Sequence, residues 1–390
     1  MSDYRLRLPG PTAVPERVRQ AIARPVLSHR GPEFTSTFLR AEQLLQPILG
    51  TRNRVFFFSS SGTGMMEAAL VNVIAPGERV LVAVNGAFGE RFAAIARALG
   101  ARVDVVETEW GRAIDPAAIE MRVAATDFRA VVLVHNESST GVVADLAAIG
   151  AVLRRRPTLL IVDSVSGLAG LEMRQDEWGV DIVVSSSQKA LMCPPGLGIV
   201  SIGAKAWEVV SRPDRQARFY WDFRKCRASI EEESGTPFTT PVSLMAGLRE
   251  ALEMIHEEGV PRVLDRHRRL SAALRAGAAA IGLSCFTRES FSNTVVCLNV
   301  PAGLRGGEIV RHLYQGRRTV IAGSRNKLAG KVIRIGTMGY IDADDILTDL
   351  LYLEETLTAL GAPVAAGAGV SAAAALLTQP NNHQEASHAG

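Results

Sequence analysis

With 390 residues, 47% hydrophobic and 21% charged, the chain has the composition of a soluble globular protein and the length for a large core and two domains. The net charge is only +3, and Lys and Arg are interspersed with Asp and Glu, so no basic stripe points to nucleic acid. Four widely spaced cysteines (Cys193, Cys226, Cys285 and Cys297) include no C-x-x-C pair, which argues against a zinc site or a disulfide framework and suits a reducing cytoplasm. The opening "MSDYRLRLPGPTAVP" has no apolar signal core, and no apolar run reaches about 18 residues, so no membrane span is expected.

From about residue 50 to 203, short apolar runs alternate with helical patterns. The runs are "VFFFSS", "RVLVAVNG", "ARVDVVET", "AVVLVHNE", "LLIVDSV", "DIVVSSS" and "GIVSIG". Most are rich in Val and Ile and apolar at both alternating positions, as in strands buried on both faces. Segments such as "GMMEAALVNVIA", "ERFAAIARALG" and "ADLAAIGAVLRRR" lie between them. This order predicts an α/β fold with a mainly parallel seven-stranded sheet. Residues 242–282 read as helical. Beyond them "TVVCLNV", "TVIAG", "KVIRIGTMG" and "DDILTDLLYLEETLTAL" predict a smaller α+β domain. The expected divisions are an N-terminal segment 1–20, a large domain 21–260, a small domain 261–365, and an Ala-rich then polar tail 366–390 whose end is expected to be poorly ordered.

Ligands of open α/β sheets bind beyond the carboxyl ends of the strands. Four such ends carry polar groups here: Ser59 to Gly64, His135 to Gly141, Asp163-Ser164, and the serines leading to Gln188 and Lys189. A Ser/Gly/Thr turn opening a helix offers N–H groups and a helix dipole to an anion, or it is an ordinary N-cap by Ser61 or Thr63. Glu67 stands where a third fingerprint glycine would be, and no GK[ST] follows, so neither a dinucleotide fingerprint nor a P-loop is present. Asp163 ends an apolar strand, where a carboxylate needs a cation or a donor; a helix cap or salt bridge would also serve. Lys189 follows 26 residues later at another strand end. It is a solvated loop lysine, or a desolvated one with a lowered pKa that attacks carbonyl groups. A phosphate cradle, a strand-end Asp and a strand-end Lys together call for pyridoxal 5′-phosphate. Lys189 would form the Schiff base, and Asp163 would keep the ring nitrogen protonated.

The stretch "VDSVSGLAG…DEWGVDIVVSSSQKALMCPPGLG" resembles the cofactor region of class V, fold-type I aminotransferases. "LPGPTAVPERV", "SHRGPEF", "SSSGTGMMEAALVN", "VHNESSTGV", "YWDF" and "GKVIRIGTMG" resemble motifs of the serine–glyoxylate and alanine–glyoxylate (serine–pyruvate) group, in that group's order. The resemblance spans roughly residues 7–370 and implies the following roles. Lys189 carries the cofactor and shuttles protons, and Asp163 pairs with the pyridine nitrogen. Ser61, Gly62 and Thr63 hold the phosphate with Gln188, and Ser187 offers a further donor. Phe88 stacks on the ring where the group usually has Trp, and Ser138 meets the phenolic side. Arg334 clamps the substrate carboxylate with its planar fork. Thr239 reaches the phosphate of a neighbouring subunit, while Thr236 replaces a tyrosine of the mammalian members. The implied assembly is a homodimer, and the implied reaction moves the amino group of serine, alanine or aspartate to glyoxylate or pyruvate by a ping-pong mechanism. His29-Arg30 are further candidates for reading a second polar group on the donor. Three alternatives share the fold: pyridoxamine–pyruvate aminotransferase, a cysteine desulfurase-like lyase using Cys285 or Cys297, and a non-catalytic binding protein.

Overall fold

The computed structural model describes residues 4–212, 218–233 and 235–378. A seven-stranded sheet forms the centre of the large domain. Its strands run side by side in the order Val55–Ser60, Gly196–Ile202, Ile182–Ser186, Leu159–Asp163, Ala130–Val134, Arg79–Val84 and Arg102–Glu107. Gly196–Ile202 is antiparallel to both neighbours, and the other pairings are parallel. The apolar runs of the sequence are these strands, buried because helices cover both faces. Pro32–Leu49, Pro116–Ala125, Leu146–Leu153 and Val242–Glu258 pack on one face. Gly62–Val73, Ala87–Ala98, Ala204–Val210 and Phe223–Glu233 pack on the other.

A separate core belongs to the C-terminal part. Strands Val295–Asn299, Val332–Gly336 and Ala322–Gly323 form an antiparallel sheet. Helices Val260–Ala280, Gly306–Arg317 and Ala343–Ala359 pack on it. Two features extend this unit past the expected divisions. Residues Ala368–Leu377, read as the start of a tail, form a helix against Val260–Ala280. Alanine favours a helix, and two glycines let the chains approach: a Cβ on Gly277 would lie 2.7 Å from the Gly369 carbonyl oxygen. The N-terminal segment also joins in, because Arg5–Leu6 pairs in parallel with Thr319–Val320. Arg7, 4% exposed, is bound by Asp349, its Nε lying 2.7 Å from Oδ2. The end of the polar tail, residues 379–390, lies outside the described residues.

This topology brings the carboxyl ends of five parallel strands to one edge. Residues 61–63, 86–88, 135–138, 163–166 and 187–189 all emerge there. The N-terminal segment crosses the same edge, where the Thr12 N–H donates to the Gln188 carbonyl at 3.2 Å and the Thr12 hydroxyl to the Lys189 carbonyl at 2.9 Å.

Candidate active site

A cavity of about 170 Å³ opens at that edge. Ser61, Gly62, Thr63, Phe88, Ser138, Asp163, Gln188 and Lys189 all line it. They come from five strand ends and the turns that follow them, so the fold converges residues spread over 129 positions, from 61 to 189.

Lys189 leaves the sheet just after Ile182–Ser186. Its ammonium donates to the Pro9 carbonyl, and Gly10, at φ +93°, leaves the space that the lysine chain fills. Burial pulls its pKa down to about 8, with Asp163 opposing and the Arg334 and Arg91 charges reinforcing the shift. A fraction of the amine is therefore neutral near pH 7. Asp163 is 4% exposed, and its Oδ1 accepts the Val165 N–H at 2.8 Å. Burial pushes this carboxyl up to about 7. The adjacent His135, with Nδ1 2.9 Å from Ser164 Oγ, is pulled down to about 4 by burial and is neutral at physiological pH.

Ser61 is the N-cap of the Gly62–Val73 helix and accepts the Gly64 N–H at 3.3 Å, so its capping and its place on the cavity wall coincide. A Cβ on Gly62 would lie 2.5 Å from Val165 Cγ2, which makes glycine the residue that fits between the helix start and that wall. Ser187 does not reach the cavity: its hydroxyl is buried and donates to the Pro194 carbonyl at 2.6 Å, locking the turn that follows Lys189. Arg334, on Val332–Gly336, stands behind Ser138. Its Nη1 donates to the Ser138 carbonyl at 3.1 Å and its Nη2 to the Gly323 carbonyl at 3.0 Å.

Thr239 is exposed and is absent from the cavity of its own chain. Thr236 is buried with its hydroxyl donated to the Phe238 carbonyl at 2.8 Å, so it is not a substitute for a reaching tyrosine. Arg30 lines a different, exposed cleft beside the Pro32–Leu49 helix. The small-domain cysteines present no ready nucleophile: burial pushes the Cys297 thiol up to about 12 and also raises that of Cys285.

Met66, Arg91, Val134, Val165 and Ser166 also line the cavity without having been singled out in the sequence, and Asn136, seen there only as one of the strand-end polar groups, joins them. Arg91 lies three residues after Phe88, one helical turn on. Its Nη1 donates to Thr63 Oγ1 at 3.0 Å, and its guanidinium carbon stands 4.8 Å from the Phe88 ring centre. The i, i+3 spacing was the available signal.

The cavity wall fits pyridoxal 5′-phosphate. A carboxylate buried with one backbone donor suits a cationic ring nitrogen. Among the described residues of that wall, Gln188 Oε1 and Asn136 Oδ1 are buried without a hydrogen-bond partner. Gly62 and Thr63, the first residues of the Gly62–Val73 helix, line the cavity, and a helix N-terminus favours an anion.

A doubly covered, mainly parallel sheet with a lysine and a carboxylate at its carboxyl edge matches the fold-type I enzymes. The chain belongs to the aminotransferase class-V family, which matches it over residues 12–347, and it is a pyridoxal-phosphate-dependent aminotransferase. It is 38% identical to the L-aspartate–glyoxylate aminotransferase of Paracoccus denitrificans, over 94% of each chain. It is 36% identical to the serine–glyoxylate aminotransferase of Arabidopsis thaliana, over 96% of this chain and 95% of the relative. The ureidoglycine–glyoxylate aminotransferase structure from Bacillus subtilis superposes with a TM-score of 0.91 at 32% identity, covering 96% of this chain and 98% of that one.

Proposed function

We propose that this enzyme moves the amino group of a small L-amino acid (serine, alanine or aspartate) to glyoxylate or pyruvate, in two half-reactions that use one cavity in turn. The observation that carries the reading is the placement of Lys189 and Asp163 on one wall beside the Ser61–Thr63 turn. The relatives named above share glyoxylate and differ in donor, which favours glyoxylate as acceptor.

When bound, pyridoxal 5′-phosphate supplies an aldehyde that links to amines and a ring that withdraws electrons from the substrate Cα. Lys189 Nζ, partly neutral near pH 7, is the base that takes the Cα proton and later returns one. Asp163 would pair through its carboxylate with the ring nitrogen and keep that nitrogen protonated. Ser61, Gly62, Thr63 and Gln188 would hold the cofactor's phosphate, Phe88 would pack against the ring, and Ser138 would offer a hydroxyl to it. Arg334 receives the substrate carboxylate and so orients the Cα–H bond toward Lys189. The first product leaves before the second oxo acid enters, because both need the Arg334 fork.

A homodimer is part of the proposal. Thr239 and Arg30 are exposed in the single chain, and a second copy would bring both to a neighbouring cavity. A cytoplasmic location suits the free cysteines, and among the described residues no helix is long and apolar enough to cross a membrane. The test is single-turnover mixing of holoenzyme with serine, alanine, aspartate, glycine and pyridoxamine, followed by the visible absorbance of the bound cofactor. Serine, alanine or aspartate should discharge the absorbance and glyoxylate should restore it. Discharge by pyridoxamine alone, or by none of these compounds, would refute the reading.

A further inference from the structure

The turn after Ala130–Val134 holds a carboxylate to which none of the roles above is assigned. Glu137 is fully buried. Its Oε2 accepts the N–H groups of Phe88 and Gly89, each at 3.0 Å. Its Oε1 accepts the Ser139 N–H at 3.1 Å and the Ser139 hydroxyl at 2.6 Å. Ser139 Oγ in turn accepts the Ala87 N–H at 2.9 Å.

Ala87, Phe88 and Gly89 open the helix Ala87–Ala98, and the N-cap Gly86 has no side chain to bind their N–H groups. A residue about 50 positions further along the chain caps the helix instead. Gly86 is required by this contact, because a Cβ there would overlap the carboxyl carbon of Glu137 and lie 2.6 Å from Ser139 Oγ. The same turn carries Ser138, whose carbonyl receives Arg334 Nη1.

A buried carboxylate is costly unless hydrogen-bonded, and a serine or asparagine would cap a helix as well. What a carboxylate adds is two acceptor oxygens. One holds the helix turn that presents Phe88, and the other holds the turn on which Arg334 rests. An amide has one acceptor, so its NH₂ would face N–H donors on one side or the other.

We propose that Glu137 is a positioning residue that fixes the Phe88 ring and the Arg334-bearing turn relative to each other, and so sets the distance between the ring-covering wall and the substrate-carboxylate fork. The inference rests on the reading of Phe88 and Arg334 given above.

The test is Glu137→Gln in the native and Phe88→Ala backgrounds, with two readouts: the cofactor dissociation constant from equilibrium dialysis and the visible circular dichroism of the bound cofactor. Phe88→Ala alone should raise the constant about three- to tenfold. Glu137→Gln should raise it about tenfold in the native background, through lost charge-assisted bonds, and less than about twofold beside Phe88→Ala. It should also cut the visible dichroism by half or more while far-ultraviolet dichroism stays constant. If Phe88→Ala changes neither readout, the reading of Phe88 falls and the inference falls with it. If Phe88→Ala acts but Glu137→Gln shifts both backgrounds equally, or leaves the dichroism unchanged, only the positioning role is overturned. Should Glu137→Gln not yield folded holoenzyme, Gly86→Ala and Ser139→Ala displace or loosen the same carboxylate. Both should lower the visible dichroism to a smaller extent, and no change in either overturns the inference.

Discussion

Asp163→Asn is expected to stabilise the cofactor-free protein while weakening its hold on the cofactor. Asp163 is buried with one backbone donor, and burial raises its carboxyl from 3.8 to about 7. That shift corresponds to about 4 kcal/mol against the ionised form in the folded chain. The sign follows from proton counting. Between about pH 4 and 7 the folded apoprotein keeps a proton that the unfolded chain has released, so this group's contribution to stability falls as pH rises and is lowest above 7. Asparagine keeps the acceptor for Val165 and carries no charge. Its unpartnered NH₂ costs about 1–3 kcal/mol, so the net gain at about pH 8 is roughly 2 kcal/mol, shrinking toward zero or below at about pH 5. The assay is urea unfolding of both apoproteins at matched chain concentration across that range. The difference between the two proteins cancels Asp349, at about 6, and the buried His135 and His267, which stay neutral in the folded chain over this range. Both proteins carry Lys189→Met, because the Lys189 amine, pulled down to about 8 by burial, is raised by the Asp163 charge and would not cancel. In parallel, cofactor affinity should fall about 100-fold as the ring nitrogen loses a charged partner. A stability difference that does not change with pH, or an apoprotein more stable with Asp163 than with the Asp163→Asn change at about pH 8, would refute the reasoning.

Two further outcomes test other parts of the account. Arg334→Lys should raise the half-saturating amino-acid concentration about 10- to 100-fold, because a single ammonium cannot reproduce the fork, while equilibrium dialysis finds cofactor binding little changed. Arg7→Met should cost about 1.5–3 kcal/mol in urea unfolding, because it removes one of the two arginines on the nearly buried Asp349 and leaves Arg5, with Nη2 3.0 Å from Oδ1, as its remaining cation; a loss below about 1 kcal/mol would show that Arg5 and the strand pairing suffice to hold the N-terminal segment.

The central sheet was legible because strands covered on both faces must be apolar at every position, and the strand-end residues stood out against those runs. The antiparallel Gly196–Ile202 strand was harder, since "GLGIVSI" reads the same in either direction. The signal was the connection: nine residues, 187–195, separate it from Ile182–Ser186, too few for a crossover of a dozen or more. The pairing of Arg5–Leu6 with Thr319–Val320 joins segments more than 300 residues apart, and no local pattern announces it. Glu137 was seen among the strand-end polar groups, but its partners lie 48 and 49 residues earlier, so its role needed the fold. The Ala-rich stretch from 368 looked like a tail because its buried face is made of small residues, Gly369 and Ala373, which carry no strong apolar stripe.

The most direct test of the central claim is the point of cofactor attachment. The chain has five lysines. Borohydride reduction of holoenzyme, digestion and mass spectrometry should place one pyridoxyl phosphate per chain on the peptide containing Lys189, and Lys189→Ala should carry none. An adduct on Lys205, Lys225, Lys327 or Lys331 in the native protein, or a borohydride-fixed cofactor in the Lys189→Ala variant, would contradict the account.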